Sequence, residues 1–138
     1  VRSFEDIEQA VNAIQPVDDP ANSAKTLLEV GEEAMEQWVA ARGEEPTDKE
    51  KEGFRVLALQ RQGAKGEPSF NACRETCREL VYYYNLIILD KSHEDVAKRV
   101  RLMALVAKHL LYFVSGKMVQ NKLGDFCCAS KPIRANMN

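Results

Sequence analysis

Residues 94–115 read Glu94-Asp95-Val96-Ala97-Lys98-Arg99-Val100-Arg101-Leu102-Met103-Ala104-Leu105-Val106-Ala107-Lys108-His109-Leu110-Leu111-Tyr112-Phe113-Val114-Ser115, and this stretch decides the fold. Val96, Val100, Met103, Ala107, Leu110 and Val114 recur at 4-3-4-3-4 spacing, the period of one face of an α-helix. Leu102, Val106, Leu111 and Phe113 widen that face to more than half the circumference. A helix apolar over so much of its surface is packed on several sides, so it is expected to be the central member of a bundle. It is read from about Glu94 to Ser115, with an extension to Leu123 and Gly124 as its stop. Ser92 and Asp95 form a box-like cap at its start.

Working back towards the N-terminus, four more helices are expected. Ser69 caps a fourth, whose stripe is Phe70, Cys73, Cys77, Leu80, Val81, Tyr84, Ile87 and Ile88. Gly63, Gly66 and Pro68 make the flexible connection before it. Thr47-Asp48-Lys49-Glu50 has the spacing of a capping box and predicts a third helix to about Gln62, with Phe54, Leu57, Ala58 and Arg61 facing inward. The second helix is capped by Asn22 or Ser23 and ends at Gly43. It carries Leu27, Leu28, Gly31, Ala34, Met35, Trp38 and Val39 on one stripe and Glu29, Glu32, Glu33 and Glu36 on the other. In the first, Phe4, Ile7, Val11 and Ile14 are spaced 3-4-3, and Pro16 stops it. The expected fold is therefore all-α, a single-domain bundle of about five helices over residues 1–123, with a long, largely buried C-terminal helix. Residues 124–138 form a short polar tail.

The 138 residues suit one domain. Their 45% hydrophobic and 29% charged composition is that of an ordinary globular protein. The longest apolar runs are Leu80–Leu89 and Leu102–Val114, the latter interrupted by Lys108 and His109. Neither reaches the length of a bilayer span, so the chain is expected to be soluble and to have no membrane partner. It begins at Val1 with Val-Arg-Ser-Phe-Glu-Asp, which is not signal-like and reads as a fragment or a processed chain. Four cysteines without a disulfide-framework spacing suit a reducing compartment, the cytoplasm or nucleus.

The formal net charge of −2 conceals a division. Residues 1–60 hold 6 Lys and Arg against 14 Asp and Glu, whereas residues 61–138 hold 13 against 7. An acidic half and a basic half speak to partners and assembly rather than to chemistry. The acidic face of the second helix and the basic face of the fifth could pair within one chain or between copies.

No catalytic or cofactor motif is present. His93 and His109 have no nucleophile at a recognisable spacing, and neither G-x-S-x-G nor H-E-x-x-H occurs. Gly63-Ala64-Lys65-Gly66 lacks the arrangement of a phosphate-binding loop and reads as a linker. Cys73 and Cys77, one helical turn apart, could join Cys127 and Cys128 in a thiolate metal site. Their place in the middle of an apolar stripe instead assigns the helical pair to the core as small hydrophobes. Cys127 and Cys128 read as free thiols. No enzyme activity, cofactor or metal is expected.

The best functional candidate is one arc of the fifth helix, opposite its apolar stripe: Lys98, Arg101, Leu105, Lys108 and Tyr112. Leu105 and Tyr112 would anchor a partner, while the three cations orient it and speed its arrival. The expected function is a non-catalytic module binding a protein partner, or a second copy of itself, through this face. The alternative is a nucleic-acid-binding helical domain, with the cations on phosphate and Tyr112 stacked on an RNA base.

Overall fold

The computed structural model describes residues 2–16 and 19–123. Five α-helices run in the order α1 Phe4–Asn12, α2 Pro20–Ala41, α3 Arg55–Ala64, α4 Arg74–Leu89 and α5 Val96–Gln120, with a 3-10 segment, Pro68–Cys73, leading into α4. The fold is an all-α bundle. α5 packs against α1, α2, α4 and the 3-10 segment, and so stands at the centre, as its broad apolar surface requires. Val100, Met103, Ala107, Leu110, Leu111 and Val114 are buried along it. Although no apolar run is uninterrupted for long enough, α5 is long and apolar enough by length and composition to cross a membrane. That corrects the count of consecutive apolar residues, which missed it because Lys108 divides the run. In the bundle its buried face, from Val100 to Val114, meets the other helices.

Several helix ends differ from the sequence reading, each for a local reason. The cap of α2 is Asp19, not Asn22 or Ser23: its Oδ1 accepts from Asn22 N at 3.1 Å. Pro20 occupies the first turn, where its missing N–H costs nothing. Gly43, at φ +85°, closes α2 as expected, with Glu44 N donating to Val39 O and Gly43 N to Ala40 O.

The capping box at Thr47 does not start a helix. Residues 51–54 form a tight turn instead, in which Lys51 and Phe54 exchange both backbone hydrogen bonds and Glu52 and Gly53 take positive φ. Gly53 favours that turn over a helix. The stretch before it has no apolar face to bury, and it binds polar side chains of α3 instead. Gln62 donates to Glu45 O at 2.8 Å and accepts from Thr47 N at 2.9 Å, and Arg55 Nε donates to Thr47 O at 2.8 Å. Starting at Arg55, α3 buries Val56, Leu57, Leu59, Gln60 and Gly63, which leaves Ala58 half-buried and turns Arg61 outward.

Ser69 caps nothing; it belongs to the 3-10 segment and donates to Glu67. The cap predicted at Ser92 is also absent. His93 Nδ1 accepts from Asp95 N at 3.0 Å, and α5 begins one residue later. At the far end α5 stops at Gln120, and Gly124, the expected stop, lies outside the described residues. Lys122 takes φ +58°, Leu123 N donates to Met118 O at 2.8 Å, and Lys122 N donates to Val119 O at 3.1 Å.

Two packing features tie the helices together. Gly31 lets α2 approach α4 and α5 so closely that a methyl there would lie 2.5 Å from Leu80 Cδ2. Trp38, also on α2, stacks on Phe70 with ring centroids 4.6 Å apart, and its Nε1 donates to Gly63 O at 2.9 Å. Cys73 and Cys77 are free thiols in the core. Cys73 donates to Phe70 O at 3.2 Å, while the hydrogen bond with Cys73 and burial push the Cys77 thiol well above its usual value.

The acidic face of α2 does not meet the basic arc of α5. Glu36 and Glu32 face Arg55 at 3.0 and 3.8 Å, and Glu33 pairs with Arg2 at 2.7 Å. α2 and α5 meet through apolar groups, with Leu110 of α5 close to Gly31 of α2. Partial burial raises the Glu32 carboxyl above its ordinary value of 4.5; Arg55 opposes the rise, and Glu36, Glu29 and Glu50 reinforce it. The folded protein thus holds this proton more tightly than the unfolded chain does. Ionised Glu32 therefore costs stability at neutral pH, and the cost fades as pH falls through the folded value and is gone below 4.5. Glu32→Gln is expected to raise Tm by about 1–3 °C near pH 7 and to leave it unchanged near pH 3, as read by thermal melts at both.

Candidate functional site

The outward side of α5 carries Lys98, Arg101, Leu105, His109 and Tyr112 in succession, all exposed. The 3-4-4-3 spacing keeps them on one helical stripe. Leu105 and Tyr112 are 61% and 55% exposed on a helix otherwise packed on several sides. Four of the five residues in the predicted arc are thus placed on this side. The fifth, Lys108, is half-buried at its edge, where its Nζ donates to Asn12 Oδ1 at 2.9 Å.

α1 shapes the site. Ser3 caps it by accepting from Asp6 N at 3.1 Å, and Ile7 and Val11 bury its inner face. This docks α1 beside α5 and brings Glu8 and Asn12 to the edge of the arc. The Tyr112 hydroxyl donates to Glu8, and this bond, followed by slight desolvation and the carboxylate's charge, raises its pKa. Where α1 ends, a cleft of about 360 Å³ opens between its C-terminal end and α5. Val11, Ile14 and Pro16 form one wall, Val100, Ala104 and Leu105 the other, with Arg101 and Lys108 at the margin.

Sequence reasoning missed two parts of this arrangement. The arc read from the sequence omits His109, yet it stands on the exposed side; its position four residues after Leu105 and three before Tyr112 is the available signal. The α1 wall had no signal in α5 at all. Lys98 and Arg101 have no ion pair among the described residues. Lys117, further along the helix, is turned away from the arc and binds Glu67 at 3.4 Å and Ser69 at 2.6 Å. Cys127 and Cys128 lie outside the described residues, which hold only the buried Cys73 and Cys77 of the possible thiolate quartet. No group of three His, Cys, Asp or Glu side chains suited to a metal occurs among the described residues.

Chemically, the site offers an apolar slot with a cationic margin. Comparison with models of protein families, with curated proteins and with solved structures finds no match.

Proposed function

We propose that this protein is a docking module whose α1–α5 cleft receives a protein segment presenting an apolar side chain flanked by Asp or Glu. The observation that carries this reading is the joining of an apolar slot to cations: Leu105 stands exposed beside it, and among the described residues Lys98 and Arg101 have no ion pair. Apolar burial would supply most of the affinity, at about 25 cal/mol per Å² removed from water, and the charges would set orientation and on-rate.

The nucleic-acid alternative has less support. Tyr112 is held by Glu8, which sets a carboxylate in the arc that would have to track phosphates, and Lys108 is engaged by Asn12. A phosphate-tracking surface needs unopposed cations and an aromatic face free to stack.

Selection from a displayed library of random 16-residue peptides tests the proposal. The expected consensus is one or two large apolar residues with acidic neighbours, and the selected peptides should bind Leu105→Asp at least ten-fold more weakly. The double variant Lys98→Glu/Arg101→Glu should select basic neighbours instead. Peptides that ignore Leu105→Asp would overturn the reading. So would single-stranded RNA that binds at physiological salt and is released by the charge-reversed variant.

A further inference from the structure

A second cleft, sharing no lining residue with the first, lies between α3, the 3-10 segment and α4. It measures about 350 Å³, and Lys51, Arg61, Lys65 and Arg74 line it together with the side-chain amides of Gln60 and Asn71. Among the described residues no carboxylate lines it, and none of its four cations has an ion pair. By contrast Arg2, Arg55, Arg78 and Lys117 are each paired. Glu52, the acid that feels Lys51 and Arg74, is committed to Arg78 at 3.2 Å and lies in the neighbouring cleft. Glu75, next to Arg74 in the chain, acts on Arg78. Four like charges gathered around one concavity repel one another, an arrangement that an anion relieves.

Gln60 provides an independent sign of a ligand. Its side chain is among the few buried polar ones, 5% exposed, yet its hydrogen bonding is poor. Nε2 reaches Phe70 O only at 3.5 Å and Asn71 Oδ1 at 3.4 Å, both longer than an ordinary N–H···O bond. No described group donates to Gln60 Oε1 or accepts from Asn71 Nδ2. Buried amides are normally satisfied. Here the deficit is at the wall of a cationic cleft.

We propose that this cleft binds a multiply charged phosphoryl anion, with two or more phosphate groups spread among the four cations. Arg61 and Arg74 suit bidentate contact with phosphoryl oxygens, Lys51 and Lys65 act as point charges, and the Gln60 and Asn71 amides add neutral hydrogen bonds. The cleft is at the small end of ligand sites, about 300–1,000 Å³, which fits a diphosphate or triphosphate group. A free polyphosphate and the phosphate tail of a nucleotide share this chemistry.

Calorimetric titration of the full chain with sodium tripolyphosphate and with adenosine triphosphate, at about 0.15 M salt, is the test. Tripolyphosphate is expected to bind with Kd of about 10–100 µM. Arg61→Glu and Arg74→Glu, both at exposed positions, should each weaken it at least ten-fold with unchanged thermal melts, and Gln60→Met should weaken it about three-fold. Arg101→Glu makes the same charge change in the α1–α5 cleft and should shift affinity by less than two-fold. Equal affinity for the two ligands would support recognition of the phosphates alone; tighter nucleotide binding would support a nucleoside portion accepted at the same cleft. No binding at millimolar tripolyphosphate overturns the proposal, as does an equal loss in Arg101→Glu and Arg61→Glu. Because peptide selection reads the other cleft, either proposal can fail without the other.

Discussion

Trp38→Ala is expected to destabilise the protein by about 3–5 kcal/mol, lowering Tm by about 10–20 °C. The indole is 1% exposed and joins three elements. It leaves from α2, stacks on Phe70 of the 3-10 segment with an interplanar angle of 3°, and donates to Gly63 O near the end of α3. Arg42 lies over the indole, 5.3 Å from the ring centroid, and also donates to Gly63 O at 3.0 Å. Removing the ring opens a cavity between rigid helices that cannot collapse around it, and it takes away one of two donors to a buried carbonyl. A domain of this kind is stable by only about 5–15 kcal/mol, so the loss is a large share of the total. Trp38→Phe keeps an aromatic face for Phe70 and leaves Arg42 on the carbonyl. Its cost should be about 1–2 kcal/mol, mostly from lost volume. Urea unfolding followed by circular dichroism measures both; a Trp38→Ala cost below about 1 kcal/mol would contradict this account of the junction.

Gly63→Ala tests the same junction with the opposite insult. On an exposed helix this exchange stabilises by about 1 kcal/mol, because alanine is the better helix former. Gly63 is buried, and a methyl there would lie 2.7 Å from Trp38 Cδ1 and 2.9 Å from Phe70 Cε2. Both are atoms of stacked rings with no flexible end to swing aside, so the net change should be a loss of about 1–3 kcal/mol. In the Trp38→Ala background the nearer of the two obstructing rings is gone, and the Phe70 ring can give way into the space it leaves. There Gly63→Ala should be neutral or favourable, giving a coupling of about 1–3 kcal/mol between the two positions. Additive losses in the double variant would show that the glycine is not held by this close approach.

The helices that could be read from the chain are those whose apolar residues repeat over two or more turns. Val96 to Val114, Leu27 to Val39 and Phe4 to Val11 each present one continuous stripe, buried along most of its length, with Phe4, Leu28 and Val96 half-buried. Gly43 was legible because a positive φ at a helix end strongly favours glycine. The short polar motifs were less reliable. Thr47-x-x-Glu50 and Ser92-x-x-Asp95 have capping spacing, but a cap contributes only about 1 kcal/mol and cannot raise a helix without an apolar face behind it. Between Glu44 and Gly53 there is none. Hydrogen bonds from Gln62 and Arg55 therefore decided that segment from 15 to 17 and from 8 residues away.

The candidate sites divide in the same way. The arc of Lys98, Arg101, Leu105 and Tyr112 is a property of a single helix, so its members share a side wherever that helix is packed. By itself the sequence determined that arc, the all-α class and the centrality of α5, because helical periodicity is local and apolar burial is the dominant favourable term in folding. Only tertiary structure decided what stands beside the arc: Glu8 on Tyr112, Asn12 on Lys108, and Ile14 and Pro16 completing a cleft. Lys51, Arg61, Lys65 and Arg74 span two helices, a tight turn and a linker, and no spacing in the chain unites them. They meet because the buried stripe of α3 is Val56, Leu59, Gln60 and Gly63, which puts Gln60 inward and leaves Arg61 outward. Which residues gather across different helices is set by the rotation and approach of each packed face. Those depend on contacts distant in sequence, such as Trp38 on Phe70 and Gly31 beneath Leu80.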